Sequence, residues 1–150
     1  MGESDIVVNR KARFNYQILD TYEAGIMLQG SEVKSLREGK VNLTDAYAHI
    51  RNHELFLINC HISPYPPANQ FNHEPTRTRK LLLHREEIDR LISKIKEKGL
   101  TVVPLKLYFQ KGKVKVELGL AKGKQAHDKR QDMKKRDTDR EIARAMKKRR

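Results

Sequence analysis

The sequence predicts a mainly β protein: a small antiparallel β-barrel with two to three helices and a basic C-terminal tail. Short apolar or alternating runs recur between turn signals, and one longer segment has clear helical periodicity. The last 29 residues have too little apolar content to build a core. A chain of 150 residues has room for one core and an appendage. We expect residues 1–8 to be a flexible lead-in, 9–121 the barrel domain and 122–150 the tail.

The first elements are a long strand and a short helix. Apolar side chains alternate imperfectly over residues 14–28, which indicates a strand, and Gly25 is expected to mark a bulge or bend. A helix is predicted over residues 32–38, with Ser31 as its N-cap and Gly39 ending it.

Side chains on the short helix should divide between core and solvent. Val33 and Leu36 lie three residues apart and can face inward. Glu32, Lys34 and Arg37 are then expected to point largely outward. The exposed face of this helix would therefore carry two cations and one carboxylate.

A hairpin and a long loop follow. Residues 46–50 and 55–62 form two runs of strand character, and residues 51–54 are the predicted turn between them. Residues 63–76 contain four prolines and have no periodicity, which indicates an extended loop. A loop of this length is often functional.

The second half contains the clearest helix. Apolar residues recur at i, i+3, i+4 and i+7 within residues 85–98, which predicts an amphipathic helix ended by Gly99. Residues 100–110 and 114–121 are then predicted strands, joined by a tight basic turn at 111–113. The resulting order of elements is typical of a small barrel with helices over its ends or gaps.

The tail concentrates the positive charge of the chain. Residues 122–150 hold thirteen Lys or Arg against five Asp or Glu, whereas residues 1–121 hold nineteen against fourteen. Such a segment should be disordered when free. Ile142, Ala143 and Met146 recur at roughly helical spacing, which favours a helix formed on a polyanion. The alternative is a solvated tail that only improves solubility.

The amino-acid composition indicates which class of partner the protein binds and in which cellular compartment it functions. A pI near 10 favours a polyanion, with nucleic acid as the first candidate and an anionic membrane surface as the second. The membrane alternative is weak, because Trp is absent and long apolar runs are missing. The N-terminus does not resemble a signal peptide. The single cysteine, Cys60, suits a reducing cytosol, and we expect a cytoplasmic protein.

Catalytic and metal sites find little support. His49 and His53 flank a predicted turn rather than sharing a helix face, and the other histidines lie on separate elements, so we expect no metal site. Cys60 lies in an apolar run, where an inert thiol is usual. Glu86 and Glu87 occupy the first turn of a helix, where the macrodipole explains them. We expect neither enzymatic activity nor a cofactor.

Basic residues instead form four clusters near predicted strand ends. These clusters are residues 9–13, the short-helix cations Lys34, Arg37 and Lys40, residues 77–80, and residues 122–124. One such cluster is usually an ordinary wet surface. Four around one small barrel favour nucleic-acid binding.

Five motifs occur in one order: NRKA at 9–12, AGIMLQGSEVKSLR at 24–37, PTRTRKLLL at 75–83, AKGK at 121–124 and HDKR at 127–130. Together they resemble the SsrA-binding protein (small protein B) family, the bacterial partners of transfer-messenger RNA. The resemblance extends from about residue 9 to the end of the chain.

The resemblance implies an OB-like β-barrel core that binds the tRNA-like domain of transfer-messenger RNA. It implies entry into stalled ribosomes for trans-translation, with the tail in the decoding centre of 16S rRNA and in the mRNA channel. It also implies elongation factor Tu in the delivery complex, and a monomer in the RNA complex. RNA of this kind is recognised by shape and unstacked loop bases rather than by duplex sequence.

The resemblance further implies two sets of site residues. The RNA-binding set is Asn9, Arg10, Lys11, Arg13, Glu32, Lys34, Arg37, Arg77, Arg79, Lys80, Lys122 and Lys124. The ribosome-binding set is His127, Asp128, Lys129, Arg130, Ala145, Met146, Lys147 and Lys148. Glu32 repels phosphate, so on an RNA face it must accept hydrogen bonds from base edges, 2′-hydroxyls or a neighbouring Arg. The pair Ala145–Met146 is smaller than is usual in the family, which implies weaker packing of a tail helix.

Two other classes of function remain as alternatives. A general ribosomal structural protein with a basic tail threaded into rRNA would associate with all ribosomes rather than with stalled ones. A nuclease or RNA-modifying enzyme would need catalytic residues, for which the sequence offers no candidates.

Overall fold

The structure, a computed structural model, describes residues 4–123, and nearly half of them belong to antiparallel β-strands. The elements in chain order are β1 (Ser4–Val8), α1 (Arg10–Asn15), β2 (Tyr16–Ile26), α2 (Gly30–Arg37), β3 (Val41–Asn42), β4 (Tyr47–Arg51), β5 (Glu54–Ile58), β6 (His61–Ile62), a 3-10 helix (Pro66–Phe71), β7 (Arg79–Leu82), α3 (Arg85–Lys98), β8 (Thr101–Gln110) and β9 (Lys113–Gly123). The predicted mainly β class, with two to three α-helices, is confirmed.

Strand pairing closes into a ring. The strands β8, β4, β5, β7, β2 and β9 are paired in that order, and β9 returns to β8. Every pairing is antiparallel. A closed ring leaves few free strand edges, and β1 covers part of the remaining edge of β8.

The core fills the inside of this ring. Buried side chains from five of the six strands contribute to it, among them Leu57, Leu81, Leu107 and Leu118, and β4 adds partly buried side chains. Leu36 of α2 and Leu91 of α3 belong to the same cluster. A second, smaller cluster packs Ala12 of α1 on the other face of β8 and β9. This cluster fixes α1 on the outside of the barrel.

The N-terminal segment differs from the prediction. The flexible lead-in expected over residues 1–8 is wrong for residues 4–8, which form β1 and pair with Lys106–Phe109 of β8. Ile6 and Val7 pack against the core, which gives this short strand an apolar anchor. The helix α1 was also missed, because its three cations obscure the single buried residue, Ala12.

The long strand carries its irregularity at a different residue. Pairing with β9 passes from Ile18↔Ala121 to Asp20↔Leu120 and leaves Leu19 as a bulge. Gly25, where a bulge was expected, pairs regularly with Leu82 and Lys115 on its two sides. A Cβ at Gly25 would lie 3.3 Å from the Leu82 Cβ, so close strand approach explains this glycine better than a bend.

Helix α2 is present as predicted but begins earlier. Its N-cap is Gln29 rather than Ser31, and the backbone N–H of Gln29 donates to Glu32 Oε1 at 2.7 Å. Ser31 instead hydrogen-bonds to His73. Gly39 follows the helix with φ of 71°, as expected of a terminating glycine.

The central hairpin is confirmed as β4 and β5. Its two turn residues, Asn52 and His53, both have positive φ, 52° and 60°, which matches the twist of a tight hairpin. The predicted second strand is divided, because Asn59 at φ of 59° turns the chain. Beyond it β6 pairs with β3 in a separate two-stranded sheet.

The second half of the core follows the prediction closely. Helix α3 occupies residues 85–98 and ends at Gly99, which has φ of 61°. The strands β8 and β9 form a long hairpin through Lys111 and Gly112, both at positive φ. The helical stripe that predicted α3 buries Leu91 and packs Ile95 against the core.

Candidate nucleic-acid interface

The central feature of the candidate interface is a buried carboxylate held by two guanidinium groups. Glu32 lies in the first turn of α2. Arg77 lies just before β7, and Arg79 is the first residue of that strand. Arg77 Nη2 donates to Glu32 Oε1 at 2.6 Å, and Arg79 Nε donates to Glu32 Oε2. The side chains of Glu32 and Arg79 are completely buried, whereas 30% of the Arg77 side chain is exposed.

Hydrogen bonds decide the ionisation of Glu32. Burial raises the pKa of its carboxyl, but donation from Arg77, from the Gln29 N–H and from Arg79 outweighs burial. The net pKa therefore lies below the ordinary 4.5. Glu32 is ionised at neutral pH and balances one of its two guanidinium partners.

Arg79 joins several segments of the chain. Its Nη1 donates to the Cys60 carbonyl at 2.7 Å and its Nη2 to the Pro75 carbonyl at 3.0 Å. Because the side chain is fully buried and bonded on every side, Arg79 holds α2, β7 and the preceding loop together. The prediction that Glu32 points largely outward is wrong, and Arg79 of the predicted RNA-binding set is buried beside it.

Helix α2 presents two exposed cations, Lys34 and Arg37, as predicted. Lys34 Nζ lies 5.7 Å from the centre of the Tyr65 ring, a cation–π contact. Lys40, just beyond the helix, forms an exposed ion pair with Glu38 at 3.1 Å. Together with Arg77, Lys34 and Arg37 define what we call the α2 face.

A second basic surface forms around α1. The strand register places Lys122 opposite Gln17 and Gly123 opposite Tyr16, directly after the helix. Arg10, Lys11 and Arg13 are exposed on α1, and Lys122 is exposed near it. We call these four cations the α1 face. A cleft of about 300 Å³ lies beside them, lined by Lys11, Asn15, Tyr16 and Tyr47 among others.

Asn9 supports the α1 face from below. Its side chain is 5% exposed. The Nδ2 group donates to the carbonyls of Leu43 and Pro104, at 3.1 and 3.0 Å, and Oδ1 accepts from the Ala12 N–H as the helix cap. With its donors and acceptor engaged, Asn9 anchors α1. This member of the predicted RNA-binding set is therefore buried beneath the helix.

Lys80 lies apart from these two faces. It is half-buried and pairs with Glu54 at 3.2 Å across β7 and β5. The four clusters of the sequence therefore become two surfaces in the fold. One joins the short-helix cations to Arg77, and the other joins residues 10–13 to Lys122.

Several residues of the interface were not predicted. Ser31 Oγ lies 2.8 Å from His73 Nδ1, and His73 Nε2 lies 2.8 Å from the Ile62 carbonyl. A carbonyl only accepts, so Nε2 donates to it, and in the neutral ring Nδ1 then accepts from the Ser31 hydroxyl. Ser35 Oγ donates to the Ser63 carbonyl at 2.6 Å. No local pattern reveals these contacts, because they join residues 11 to 42 positions apart.

Part of the predicted site lies outside the described residues. This part comprises Lys124 of the RNA-binding set and the whole ribosome-binding set: His127, Asp128, Lys129, Arg130, Ala145, Met146, Lys147 and Lys148. The roles expected for them remain predictions.

Other chemistry within residues 4–123 is limited. Cys60 is buried, and burial raises its thiol pKa to about 11, so the thiol is unreactive at neutral pH. In this range no group of three or more His, Cys, Asp or Glu residues is arranged to hold a metal ion. Over the same residues, every helix is too short or too polar to cross a membrane.

Comparison with known proteins gives consistent relatives. The sequence matches the SmpB protein family over residues 6–148. The SsrA-binding protein of Symbiobacterium thermophilum is 64% identical over 142 residues, 94% of this chain and 90% of the relative. The SsrA-binding protein of Thermosynechococcus vestitus is 59% identical over 152 residues, 99% of this chain and 100% of the relative.

A solved structure is similar in both sequence and fold. It is described as "tmRNA-SmpB: a journey to the center of the bacterial ribosome", and its matching chain is 55% identical with a TM-score of 0.67. The match covers 80% of this chain and 85% of the other. The likeness thus extends over most of each protein, in sequence and in fold. The chain belongs to the SmpB protein family.

Proposed function

We propose that this protein binds the tRNA-like domain of transfer-messenger RNA and delivers it to stalled ribosomes for trans-translation. Its relatives are named SsrA-binding proteins, and the description of the similar solved structure names tmRNA-SmpB and the bacterial ribosome. In this proposal the protein is a non-catalytic, cytoplasmic RNA-binding factor. It acts as a monomer in the RNA complex, with elongation factor Tu in the delivery complex.

The observation that carries the proposal is the pair of guanidinium groups on Glu32. Two cations share one anion, so the cluster keeps a surplus positive charge, and Arg77 brings it to the surface. Arg77 Nη1 has only a long contact of 3.5 Å to the Thr78 carbonyl and retains donor capacity. A preorganised, partly exposed guanidinium is well suited to a phosphate or a base edge.

Buried residues of the RNA-binding set act as supports in this proposal. Glu32 and Arg79 fix the orientation of Arg77, and Asn9 fixes the orientation of α1. The exposed residues Arg10, Lys11, Arg13, Lys34, Arg37, Arg77 and Lys122 then contact the RNA. Phosphate contacts of this kind position the RNA, and unstacked bases supply selectivity.

The tail has a separate role. We assign residues 127–150 to the decoding centre and the mRNA channel of the ribosome, with the HDKR motif at the entrance. The tail holds most of the net charge of the chain, which fits a surface made of rRNA phosphates.

The experiment compares the full chain with truncations ending at Ala126 and Ala121. Binding to the isolated tRNA-like domain and to ordinary tRNA is measured over a salt series. We expect the 1–126 protein to keep tight, selective binding, and the 1–121 protein to bind more weakly because it lacks Lys122 and Lys124. Loss of selectivity in the 1–126 protein would contradict the assignment of recognition to the core.

A point variant tests the carrying observation directly. Arg77→Gln should weaken binding of the tRNA-like domain about 10-fold or more, since a charge-assisted contact is lost. Lys96→Gln on α3 removes the same charge from an exposed position on another element, and it should change binding less than twofold. Equal effects in both variants would indicate nonspecific attraction only.

A further inference from the structure

The loop between β6 and β7 presents an aromatic ring to solvent. Phe71, at the end of the 3-10 helix, is 77% exposed, the highest value among the large apolar side chains of residues 4–123. Single exposed apolar residues are common on protein surfaces. The support beneath this one is unusual, because the loop that carries it is closed and anchored by hydrogen bonds.

Asn72 closes the loop. Its Oδ1 accepts from the Tyr65 N–H at 2.7 Å, and its Nδ2 donates to the Tyr65 carbonyl at 2.8 Å. Within the loop, the Ala68 N–H donates to the Tyr65 carbonyl at 2.9 Å. Asn69 adopts φ of 47° and ψ of −117°, a conformation that costs energy in a non-glycine residue. The loop is therefore held in one shape.

The base of the loop is fixed to the Glu32 cluster. His73 bridges Ser31 of α2 and the Ile62 carbonyl, as described above. The Pro75 carbonyl accepts from the Ile62 N–H and from Arg79 Nη2, both at 3.0 Å. Phe71 is thus displayed on a rigid support that shares its anchors with the α2 face.

The surroundings of Phe71 favour a nucleobase. Residues 63–73 contain no charged Asp, Glu, Lys or Arg, while Lys34 of the α2 face lies over Tyr65 at the base of the loop. Residues 67–71 line a shallow depression, so Asn69 and Gln70 border the same surface feature as Phe71. An exposed aromatic ring with amide-bearing residues in the same depression, beside a basic surface, matches the chemistry of an unstacked RNA base.

A protein partner fits this surface less well. The other exposed large apolar residues of the described chain are Val8, Leu19, Met27, Tyr47 and Leu82, and none of them belongs to the loop. A specific protein interface needs roughly 800 Å² on each partner, whereas one base needs only one ring face.

We propose that Phe71 is a stacking platform for one unpaired base of the tRNA-like domain, with Asn69 and Gln70 beside it to hydrogen-bond the base edge. This inference rests on the proposed function, because it places the base in the same RNA that the α2 face binds. Lys34 and Arg77 hold the backbone, and Phe71 adds a contact that an ordinary basic surface lacks.

The test uses the full chain and the isolated tRNA-like domain. Phe71→Ala and Phe71→Leu should each weaken binding about 5- to 100-fold, since stacking on one base is lost. Phe71→Tyr should stay within twofold of the wild type. Leu19→Ala, at an apolar residue of β2 that is 46% exposed, is the control and should have no effect. Thermal unfolding of each variant verifies the fold.

A spectroscopic measurement locates the contact. The chain contains no tryptophan, so Phe71→Trp places the single tryptophan of the variant at the proposed platform, where it can be excited selectively over the tyrosines. Its fluorescence should be quenched by the tRNA-like domain and less by ordinary tRNA. The Leu19→Trp variant should show no change with either RNA.

The outcomes separate the inference from the proposed function. Selective binding by the wild type, with Phe71→Ala and Phe71→Leu unchanged, overturns the platform and leaves the function intact. Retained binding in Phe71→Leu alone indicates a general apolar contact and also overturns it. If Phe71→Ala weakens binding to the ribosome or to a protein but not to the tRNA-like domain, the platform is also overturned. Failure of the wild type to select the tRNA-like domain contradicts the proposed function itself.

Discussion

Glu32 determines the arrangement of the α2 face at the scale of single residues. Its two oxygens accept hydrogen bonds from groups on either side, so both guanidinium groups are oriented by one carboxylate. Removing one member of a buried ion pair leaves a charge without compensation, which costs more than the pair contributes in total. The residue therefore affects stability and RNA binding together.

We predict that Glu32→Gln lowers the free energy of unfolding by about 3 kcal/mol, because Arg79 keeps a buried charge without an anion. Urea denaturation measures the change. Glu54→Gln is the control, since its partner Lys80 is 39% exposed and such surface pairs contribute about 0–1 kcal/mol. A similar loss of unfolding free energy in both variants would show that the buried ion pair of Glu32 stabilises the fold no more than an exposed pair does.

The same carboxylate predicts a pH dependence. Its folded-state pKa lies below 4.5, so ionised Glu32 stabilises the fold above about pH 4.5. That stabilisation is lost as the pH falls through the folded-state pKa. The difference in unfolding free energy between wild type and Glu32→Gln should therefore be constant near neutral pH and shrink below about pH 4.5. A difference independent of pH would contradict this assignment.

Side-chain burial at these positions could not be predicted from sequence. Val33 and Leu36 lie three residues apart and were expected to face the core, so Glu32 was expected to face outward. Its partners lie 45 and 47 residues away, so only the folded strands reveal the ion pairs. The sequence resemblance did indicate that a neighbouring Arg was one possible partner for Glu32, and the structure supplies two.

At the scale of elements, the barrel depends on close contact between β8 and β9. Gly119 of β9 lies against Leu105 of β8, and a Cβ at this position would come within 3.0 Å of the Leu105 side chain. Leu105 also packs with Ala12, so the contact extends to α1. Displacing Leu105 would therefore disturb both the sheet and the support of the α1 face.

We predict that Gly119→Ala lowers the free energy of unfolding by about 1–3 kcal/mol through overpacking. Gly30→Ala is the matched control. Its Cβ meets nothing within 4 Å, and alanine favours a helix, so stability should stay the same or rise by about 0.5 kcal/mol. Thermal unfolding compares the two. Equal stability of the two variants would show that the Leu105 side chain of β8 can move aside without lowering the free energy of unfolding.

Elements with strong local signals were predicted well, and weak ones were not. Residues 85–98 carry a complete helical stripe and a terminating glycine, and α3 has those limits. The strand β1 has five residues and none of them is fully buried. The helix α1 has six residues, of which only Ala12 is buried. Their stability comes from packing on β8, which sequence periodicity does not record.

At the scale of the whole molecule, closure of the sheet brings distant basic clusters together. Tyr16 pairs with Gly123, so the start of β2 and the end of β9 meet at the α1 face. Arg77 reaches α2 across 45 residues. The sequence indicated four basic clusters at strand ends, but their union into two faces follows from strand order, which no local pattern determines.

Division of labour between core and tail gives the last prediction. Both basic faces lie in the described core, whereas the HDKR motif lies beyond Gly123. Asp128→Ala combined with Lys129→Ala leaves net charge unchanged, so general attraction to RNA is preserved. We expect this double variant to bind the tRNA-like domain with wild-type affinity and to fail in tagging peptides on stalled ribosomes.

Two measurements check this prediction: affinity for the tRNA-like domain, and tagging in a reconstituted translation reaction. Arg77→Gln is the complementary variant, and we expect it to lose affinity first and tagging as a consequence. At RNA concentrations high enough to saturate Arg77→Gln, its tagging should recover, whereas the tail variant should stay inactive because its defect follows binding. Recovery of both variants, or of neither, would mean that core and tail act as one binding surface.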